Sequence, residues 1–242
     1  MARVALIADI HGNMPALEAV ADDIKLRRVD AVYCLGDMVG RGPNGSEAID
    51  WCRENCEVVI LGNWENNALR GKRQLILDEI GEERQEYLAN LPFYHKMWIS
   101  GRRMHLLHGR PLVKAAVIWD TAPEEVRLEI FNVIEDEHHV DIVGYADLHR
   151  QFKTDFHHNP RTLFNTGSVG SSFNAPMACY AIIEGEVGSK EKSPISFEFI
   201  SVPYDNQKAV ENALNAAWLP SKDLYIKEIT EATYQRLDWS SK

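Results

Sequence analysis

Short apolar runs alternate with amphipathic stretches along the first sixty residues. An apolar run predicts a strand over residues 3–8, and apolar positions spaced three and four apart predict a helix over 15–25. Further predicted elements continue the alternation: a strand at 31–35, a helix at 46–54 and a strand at 57–61. Successive β-α-β units favour a parallel sheet with right-handed crossovers.

The rest of the chain combines a charged helical stretch with further strands. Residues 64–91 are predicted to be helical with a break at Gly81, and residues 121–124 have the spacing of a capping box that opens a helix to about 134. The remaining predicted elements are strands at 97–99, 103–107 and 141–145, short strands and turns over 152–203, and helices at 205–218 and 222–237. No repeat or linker interrupts this order. We therefore expect one domain over residues 1–242, with a helical insert at about 64–91 near the active site.

Charge and cysteine content exclude several classes of protein. Lys plus Arg number 26 against 36 Asp plus Glu, a formal charge of −10 without a basic stripe, so binding to a nucleic acid duplex is not expected. The apolar run over 4–8 is too short for a signal peptide or a membrane span. The four cysteines form no C-x-x-C pair, which favours reduced thiols and a cytoplasmic protein without a membrane partner. The sequence leaves open whether the chain forms a homo-oligomer.

Polar clusters follow the predicted strands at the points where those strands end. Loops at the carboxyl ends of strands are where α/β proteins bind ligands. The clusters contain three carboxylates, three imidazoles and one amide oxygen: Asp9 with His11, Asp37 after Gly36, Asn63 after Gly62, His108 before Gly109, and Asp147 with His149. These donors suit two metal ions such as Mn, Fe or Zn.

Each of these residues also fits a purely structural role. Asp9 could cap the helix that follows it, and Asp37 and Asn63 suit turns at strand ends. His108, at the end of an apolar strand, could be a hydrogen-bonded core residue. Independent turns and caps do not predict the order of the whole set, so the set favours a metal site.

The order of these motifs resembles the calcineurin-like metallophosphoesterase superfamily. Its pattern is Asp-x-His, Gly-Asp, Gly-Asn-His-Asp/Glu, a lone His and Gly-His-x-His, and the resemblance extends over residues 3–202. The matching segments are 9–13 (DIHGN), 36–40 (GDMVG), 62–63 (GN), 108–109 (HG) and 165–170 (NTGSVG). The resemblance implies an α/β fold, a four-layer αββα sandwich of two mixed sheets between helices. It also implies metal-dependent hydrolysis of a phosphodiester or phosphoanhydride in a phosphorylated small molecule or nucleotide.

The resemblance further implies the roles of individual residues. One metal ion would be bound by Asp9, His11 and His149, the other by Asn63 and His108, with Asp37 bridging the two and Asp147 at the second metal. Asp37, Asn63 and His108 are thus the expected catalytic residues. Two metal ions of this kind acidify a bridging water, and the resulting hydroxide attacks phosphorus.

Two positions depart from the family pattern. Trp64, followed by Glu65, stands where the family has the histidine that steadies the transition state or protonates the leaving group. Asp147 stands where the family has a histidine ligand. A carboxylate still binds metals, so the second change is expected to shift metal preference toward harder ions.

The tryptophan has consequences for the substrate. A missing proton donor affects alkyl esters more than anhydrides, which predicts dinucleoside polyphosphates such as diadenosine tetraphosphate as substrates. The Gly-Asn-Trp-Glu segment at 62–65 resembles bacterial relatives proposed to cleave that compound asymmetrically. Trp64, by stacking on a base, and Arg41 are the predicted substrate-binding residues.

Three other interpretations compete with this one. A protein phosphatase acting on phosphoserine or phosphothreonine would use the same metal site, although an acidic chain repels many phosphopeptides. A weakly active member that mainly binds a nucleotide or a partner would also fit the two departures. A dinucleotide-binding dehydrogenase is disfavoured, because the glycines at 36, 40 and 42 lack G-x-G-x-x-G spacing.

Overall fold

The computed structural model describes residues 1–113 and 118–234, and this part of the chain contains ten strands in two sheets. The strands are β1 Ala2–Ile7, β2 Ala31–Cys34, β3 Val58–Val59, β4 Tyr94–Ile99, β5 Arg102–Leu107, β6 Ile142–Tyr145, β7 Gln151–Phe156, β8 Arg161–Thr166, β9 Ala178–Gly185 and β10 Ser196–Val202. The sheet orders are β10-β9-β1-β2-β3 and β4-β5-β6-β8-β7. Both sheets are mixed, with a parallel centre at β1-β2-β3 and at β5-β6-β8.

Seven α-helices lie in the same described ranges. They are α1 Met14–Leu26, α2 Gly45–Asn55, α3 Asn63–Asn67, α4 Gln74–Ala89, α5 Glu124–Leu128, α6 Asn206–Asn215 and α7 Lys222–Glu231. A π-helical turn at Ala68–Lys72 joins α3 to α4, and a 3-10 turn at Glu129–Asn132 follows α5. The described helices are too short or too polar to cross a membrane.

Most predicted elements are present, but they begin or end at residues other than those predicted. Gly81 breaks α4 as predicted, since its φ of 73° and ψ of 168° are not helical. The predicted strand at 57–61 is reduced to Val58–Val59, and the amide of Leu61 donates to Pro92 outside the sheet. The helices predicted at 205–218 and 222–237 end at Asn215 and Glu231. The end of the latter prediction, 235–237, lies outside the described residues.

Strand β1 contains a continuous apolar run from Val4 to Ile7. Val4 and Leu6 lie between the two sheets and pack in one cluster with Leu106 and Phe164 of the second sheet. Ile7 points to the other face, into the cluster that contains α1 and α2. Because neighbouring side chains point to opposite faces and both faces are covered, every buried position from Val4 to Ile7 is apolar.

The outer face of the second sheet is covered as well. Val143, Tyr145 and Leu163 pack against Ile130 and Phe131, which lie in the 3-10 turn after α5. The layers are therefore helices, sheet, sheet and helices. The predicted four-layer αββα sandwich with mixed sheets is confirmed.

Candidate metal centre

The predicted ligands come together at one edge of the sandwich. They follow the carboxyl ends of β1, β2, β3, β5 and β6, and all seven are buried: Asp9, His11, Asp37, Asn63, His108, Asp147 and His149. The parallel strands of each sheet end at the same edge, so short loops are enough to bring these side chains together.

The carboxylates of Asp9 and Asp37 lie at the centre of the cluster. Asp9 Oδ1 lies 3.3 Å from His149 Nε2 and 3.8 Å from the Nε2 atoms of His11 and His108. Asp37 Oδ2 lies 3.2 Å from His108 Nε2 and 3.8 Å from His11 Nε2. Two groups could each hold a metal ion, Asp9 with His11 and His149, and Asp9 with Asp37 and His108.

Backbone carbonyls fix the orientation of all three histidines. Their Nδ1 atoms contact carbonyl oxygens: His11 that of Val39 at 3.0 Å, His108 that of Leu35 at 2.7 Å, and His149 that of Ser171 at 2.7 Å. A carbonyl only accepts, so Nδ1 carries a proton and Nε2 is the atom available to a metal. The Nε2 atoms of His11 and His149 are 3.2 Å apart, a spacing that suits a shared cation.

The charge balance of the site fits metal ions. Asp9 Oδ1 and Asp37 Oδ2 are buried and accept no hydrogen bond from the described residues. Burial raises the pKa of Asp37 and lowers that of His11. Burial also opposes the charged form of His108, but the carboxylates of Asp37, Asp9 and Asp147 outweigh it and raise its pKa well above the usual value. Buried carboxylates facing imidazoles in this way are stabilised by cations.

Backbone strain is concentrated in the same loops. Ten non-glycine residues in the described ranges have a positive φ, and six of them, with φ between 51° and 64°, belong to the site: Asp9, His11, Asp37, Arg41, Asp147 and His149. Each such conformation costs about 1–3 kcal/mol and persists only where the surroundings fix it. At Asp9 the carbonyl accepts hydrogen bonds from the Gly170 amide and the Ser168 hydroxyl, at 2.9 and 2.8 Å. The 165–170 segment thus supports the loop after β1, which carries Asp9 and His11.

Glu65 is an organising residue to which the sequence analysis assigned no role. Its fully buried carboxylate accepts hydrogen bonds from the amides of Asp37 and Val39, both at 3.0 Å, and of Gly62 at 2.9 Å. Burial, together with the Asp37 carboxylate, raises the pKa of Glu65 to about 7. The signal in the sequence was the acidic residue three positions after Gly62, a capping-box spacing at a strand-to-helix turn.

Asp147 has a different environment from the other predicted ligands. Arg110 binds it with two hydrogen bonds, Nε to Oδ2 at 2.7 Å and Nη2 to Oδ1 at 2.5 Å. Asn63 Nδ2 donates to Oδ1 at 2.8 Å, and His108 Nε2 lies 4.0 Å away. Burial disfavours the charged carboxylate, but Arg110 and His108 outweigh burial and lower the pKa of Asp147. No sequence motif marks Arg110.

A cavity of about 240 Å³ opens beside the predicted ligands, and both predicted substrate-binding residues, Arg41 and Trp64, line it. The guanidinium of Arg73 lies 4.6 Å from the centre of the Trp64 ring, and that of Arg41 lies 5.6 Å from it. Phe173 and Tyr234 also line the cavity, in ring contact with each other. No pattern in the sequence marks Phe173, Tyr234 or Arg73.

Arg41 is held from the opposite side by helix α7. Its Nη1 lies 2.5 and 2.6 Å from the two carboxylate oxygens of Glu228, which is completely buried. The Nε atom of Arg41 is buried without a hydrogen-bond partner among the described residues. The cavity wall therefore contains a guanidinium held by an ion pair, with one N–H donor that no described residue accepts.

Comparison with known proteins identifies the family. A model described as calcineurin-like phosphoesterase matches residues 2–179, a range that contains every predicted metal ligand. The chain belongs to the calcineurin-like phosphoesterase family. Calcineurin-like phosphoesterases use a dinuclear metal centre, and this chain is a metal-dependent phosphoesterase whose two candidate metal-binding groups fit such a centre.

Relatives of this phosphoesterase cover the chain to different extents. An uncharacterised protein of Methanocaldococcus jannaschii is 30% identical over 230 residues, 86% of this chain and 90% of that protein. A symmetrical bis(5'-nucleosyl)-tetraphosphatase of Erwinia tasmaniensis is 36% identical over 61 residues, 24% of this chain and 22% of that protein.

Solved structures share its fold. A metallophosphoesterase from Sphaerobacter thermophilus has a TM-score of 0.72 and 21% identity, covering 96% of this chain and 99% of that one. A hypothetical protein from Pyrococcus horikoshii has a TM-score of 0.74 and 22% identity, covering 97% and 100%. Two independent solved structures thus have the same architecture over nearly the full length of this phosphoesterase.

Proposed function

We propose that this phosphoesterase hydrolyses phosphoanhydride bonds in nucleotides, with dinucleoside polyphosphates such as diadenosine tetraphosphate as its substrate class. The observation that carries the proposal is the position of Trp64. Its ring lies 5.6 Å from that of His11 and borders the cavity beside the ligand cluster. An indole offers a stacking surface for a base but no acidic proton for a leaving group.

The ligand roles are part of this proposal. Asp9, His11 and His149 would hold one metal ion, Asn63 and His108 would hold the other, Asp37 would contribute to both, and Asp147 would stand beside the second. When bound, such ions lower the pKa of a water molecule and stabilise charge on the phosphoryl oxygens. The remaining side chains bind and orient the substrate.

The identity of the leaving group follows from the absence of a proton donor at position 64. An alkoxide is strongly basic, and protonation by a general acid accelerates its departure by roughly 10²–10⁴-fold. A nucleoside phosphate is a much weaker base, since its second pKa is about 6. A site with tryptophan at this position therefore loses far less activity on anhydrides than on alkyl esters.

Charge in the cavity wall supports a substrate with several phosphate groups. Arg41 and Arg73 both lie against the Trp64 ring, within 5.6 and 4.6 Å of its centre. Burial and the neighbouring Arg41 lower the pKa of Arg73, so an additional anion between these groups would relieve repulsion. A polyphosphate supplies such anions. Trp64 is 8% exposed, and Arg41 and Arg73 lie against its ring, so a base stacks on the indole only where one of these guanidinium groups moves aside to bind phosphate.

The test compares kcat/KM for diadenosine tetraphosphate, a phosphoserine peptide and an alkyl diester at equal Mn²⁺ loading. We expect the anhydride to be hydrolysed best, and nucleotide analysis of its products shows whether cleavage is symmetrical. A Trp64→His variant should gain activity on the alkyl diester and lose it on the anhydride. Trp51→His, a half-buried position in α2, is the matched control.

Two outcomes would contradict the proposal. Equal or better turnover of the unactivated esters would favour a protein phosphatase. Tight nucleotide binding without turnover of any substrate would favour a binding protein.

We also propose that residues 1–242 form one domain in which the segment at about 64–91 is an insert beside the active site. The supporting observation is that Trp64, Asn67 and Arg73 line a cavity together with the ligand Asn63. Limited proteolysis should release no stable fragment that lacks this segment.

A further inference from the structure

The pairing of Asp147 with Arg110 concerns a position at which this chain departs from its family. Both oxygens of Asp147 accept hydrogen bonds from Arg110, at 2.5 and 2.7 Å. Oδ1 also accepts one from Asn63 at 2.8 Å. A carboxylate held in this way has little freedom to turn toward a metal ion.

The charges of the pair cancel. A histidine ligand is neutral, whereas a carboxylate adds a negative charge to a site that already contains Asp9 and Asp37. The guanidinium of Arg110 supplies the opposite charge at hydrogen-bond distance. The pair therefore occupies the place of an imidazole without changing the net charge beside the second metal position.

Arg110 extends from this buried anchor into the cavity. The Asp147 side chain is 4% exposed and the Arg110 side chain is 46% exposed. A guanidinium has five N–H donors, and two of them bond Asp147. The rest of the group borders the same cavity as Trp64 and Arg41. Planar guanidinium donors match the oxygens of a phosphoryl group.

We propose that Arg110 binds a phosphoryl oxygen of the substrate beside the second metal position and that Asp147 is its positioning residue rather than a metal ligand. The inference rests on the proposed function, because it assumes a phosphoryl group at this centre. It assigns a substrate-binding role to a residue that no motif identifies.

The first experiment measures Mn²⁺ binding by titration calorimetry without phosphate. Arg110→Ala should tighten the weaker of two sites by about threefold or more, because a positive charge beside it is removed. Asp147→Asn should weaken that site, because the guanidinium is then unbalanced. The double variant should bind two Mn²⁺ ions within about twofold of wild type, because a neutral pair has been deleted.

The second experiment measures the inhibition constant of inorganic phosphate and the KM of the substrate. Arg110→Ala and Asp147→Asn should each raise both values by about tenfold or more, with a smaller change in kcat, and the double variant should be no worse than Arg110→Ala. Arg110→Lys should keep the Mn²⁺ affinity and lose phosphate affinity, since it retains charge without the planar fork. Arg53→Ala is the control, because Arg53 is 47% exposed and pairs with Glu83.

Specific results overturn the inference. If the double variant loses the second Mn²⁺ ion as Asp147→Asn does, then Asp147 is a metal ligand. A melting curve first shows that Arg110→Ala is folded. If its inhibition constant for phosphate and its KM for the substrate then match those of Arg53→Ala, Arg110 binds no phosphate. A wild-type protein that binds no Mn²⁺ and hydrolyses no phosphate compound would instead contradict the proposed function itself.

Discussion

Replacing Glu65 tests how the metal-centre loops are held in place. Its carboxylate accepts three backbone hydrogen bonds from two segments, with Oε2 bonded to the amides of Asp37 and Gly62 and Oε1 to that of Val39. Glu65 is completely buried. Alanine therefore leaves three buried N–H donors without an acceptor, and glutamine leaves at least one.

The expected magnitudes follow from that count. A buried donor without an acceptor costs about 1–3 kcal/mol. Glu65→Gln keeps one oxygen, which can serve Asp37 and Gly62, so it should lower the free energy of unfolding by about 1–3 kcal/mol. Glu65→Ala should lower it by about 3–5 kcal/mol, the lower part of the sum for three donors, because the loops relax around the gap.

Urea unfolding of the metal-free protein, followed by circular dichroism, measures both values. The controls are Glu82→Gln and Glu82→Ala at an exposed position of α4. Both Glu65 variants should also bind Mn²⁺ more weakly, because the backbone of Asp37 loses its support. The reasoning fails if Glu65→Ala unfolds at the same urea concentration as Glu82→Ala. Equal losses for Gln and Ala would show that the charge of Glu65, and not its number of acceptors, stabilises the loops.

Three further substitutions have distinct expected results. Asp37→Asn should reduce bound Mn²⁺ and lower kcat by more than about 100-fold, measured by metal analysis and turnover; two tightly bound ions with full activity would contradict its bridging role. Gly40→Ala places a methyl group 2.1 Å from Trp64 Cε3, on a residue whose φ is 83°. It should lower the free energy of unfolding by about 1–3 kcal/mol and change the tryptophan fluorescence. An unchanged spectrum would refute the contact. Burial opposes ionisation of Asp136, but hydrogen bonds from His105 and Arg103 outweigh it and lower the pKa of Asp136. The ionised carboxylate of Asp136 therefore stabilises the fold at neutral pH, and this stabilisation is lost as pH falls below about 4. Asp136→Asn should lower the free energy of unfolding by about 1–3 kcal/mol at pH 7 and by progressively less in acid. Urea unfolding at each pH measures the difference.

The amino-acid sequence determined the local elements and the candidate ligands. Apolar runs mark strands that are buried on both faces, and the polar residues that follow them mark strand ends. This reasoning predicted Asp9, His11 and Asp37 as neighbours, because the parallel strands β1 and β2 end at one edge. The break at Gly81 was predictable for the same reason, since glycine conformation is a local property.

Only the tertiary structure decided which side chains meet across long stretches of chain. Glu65 reaches the amide of Asp37 from 28 positions away, and Arg110 reaches Asp147 across 37. Phe173 and Tyr234 join the cavity from segments that are far apart in sequence. Spacing along the sequence does not predict such contacts, because they depend on how the two sheets and their covering helices pack together. The sequence thus specified the donors of the centre, and packing specified the groups that position and surround them.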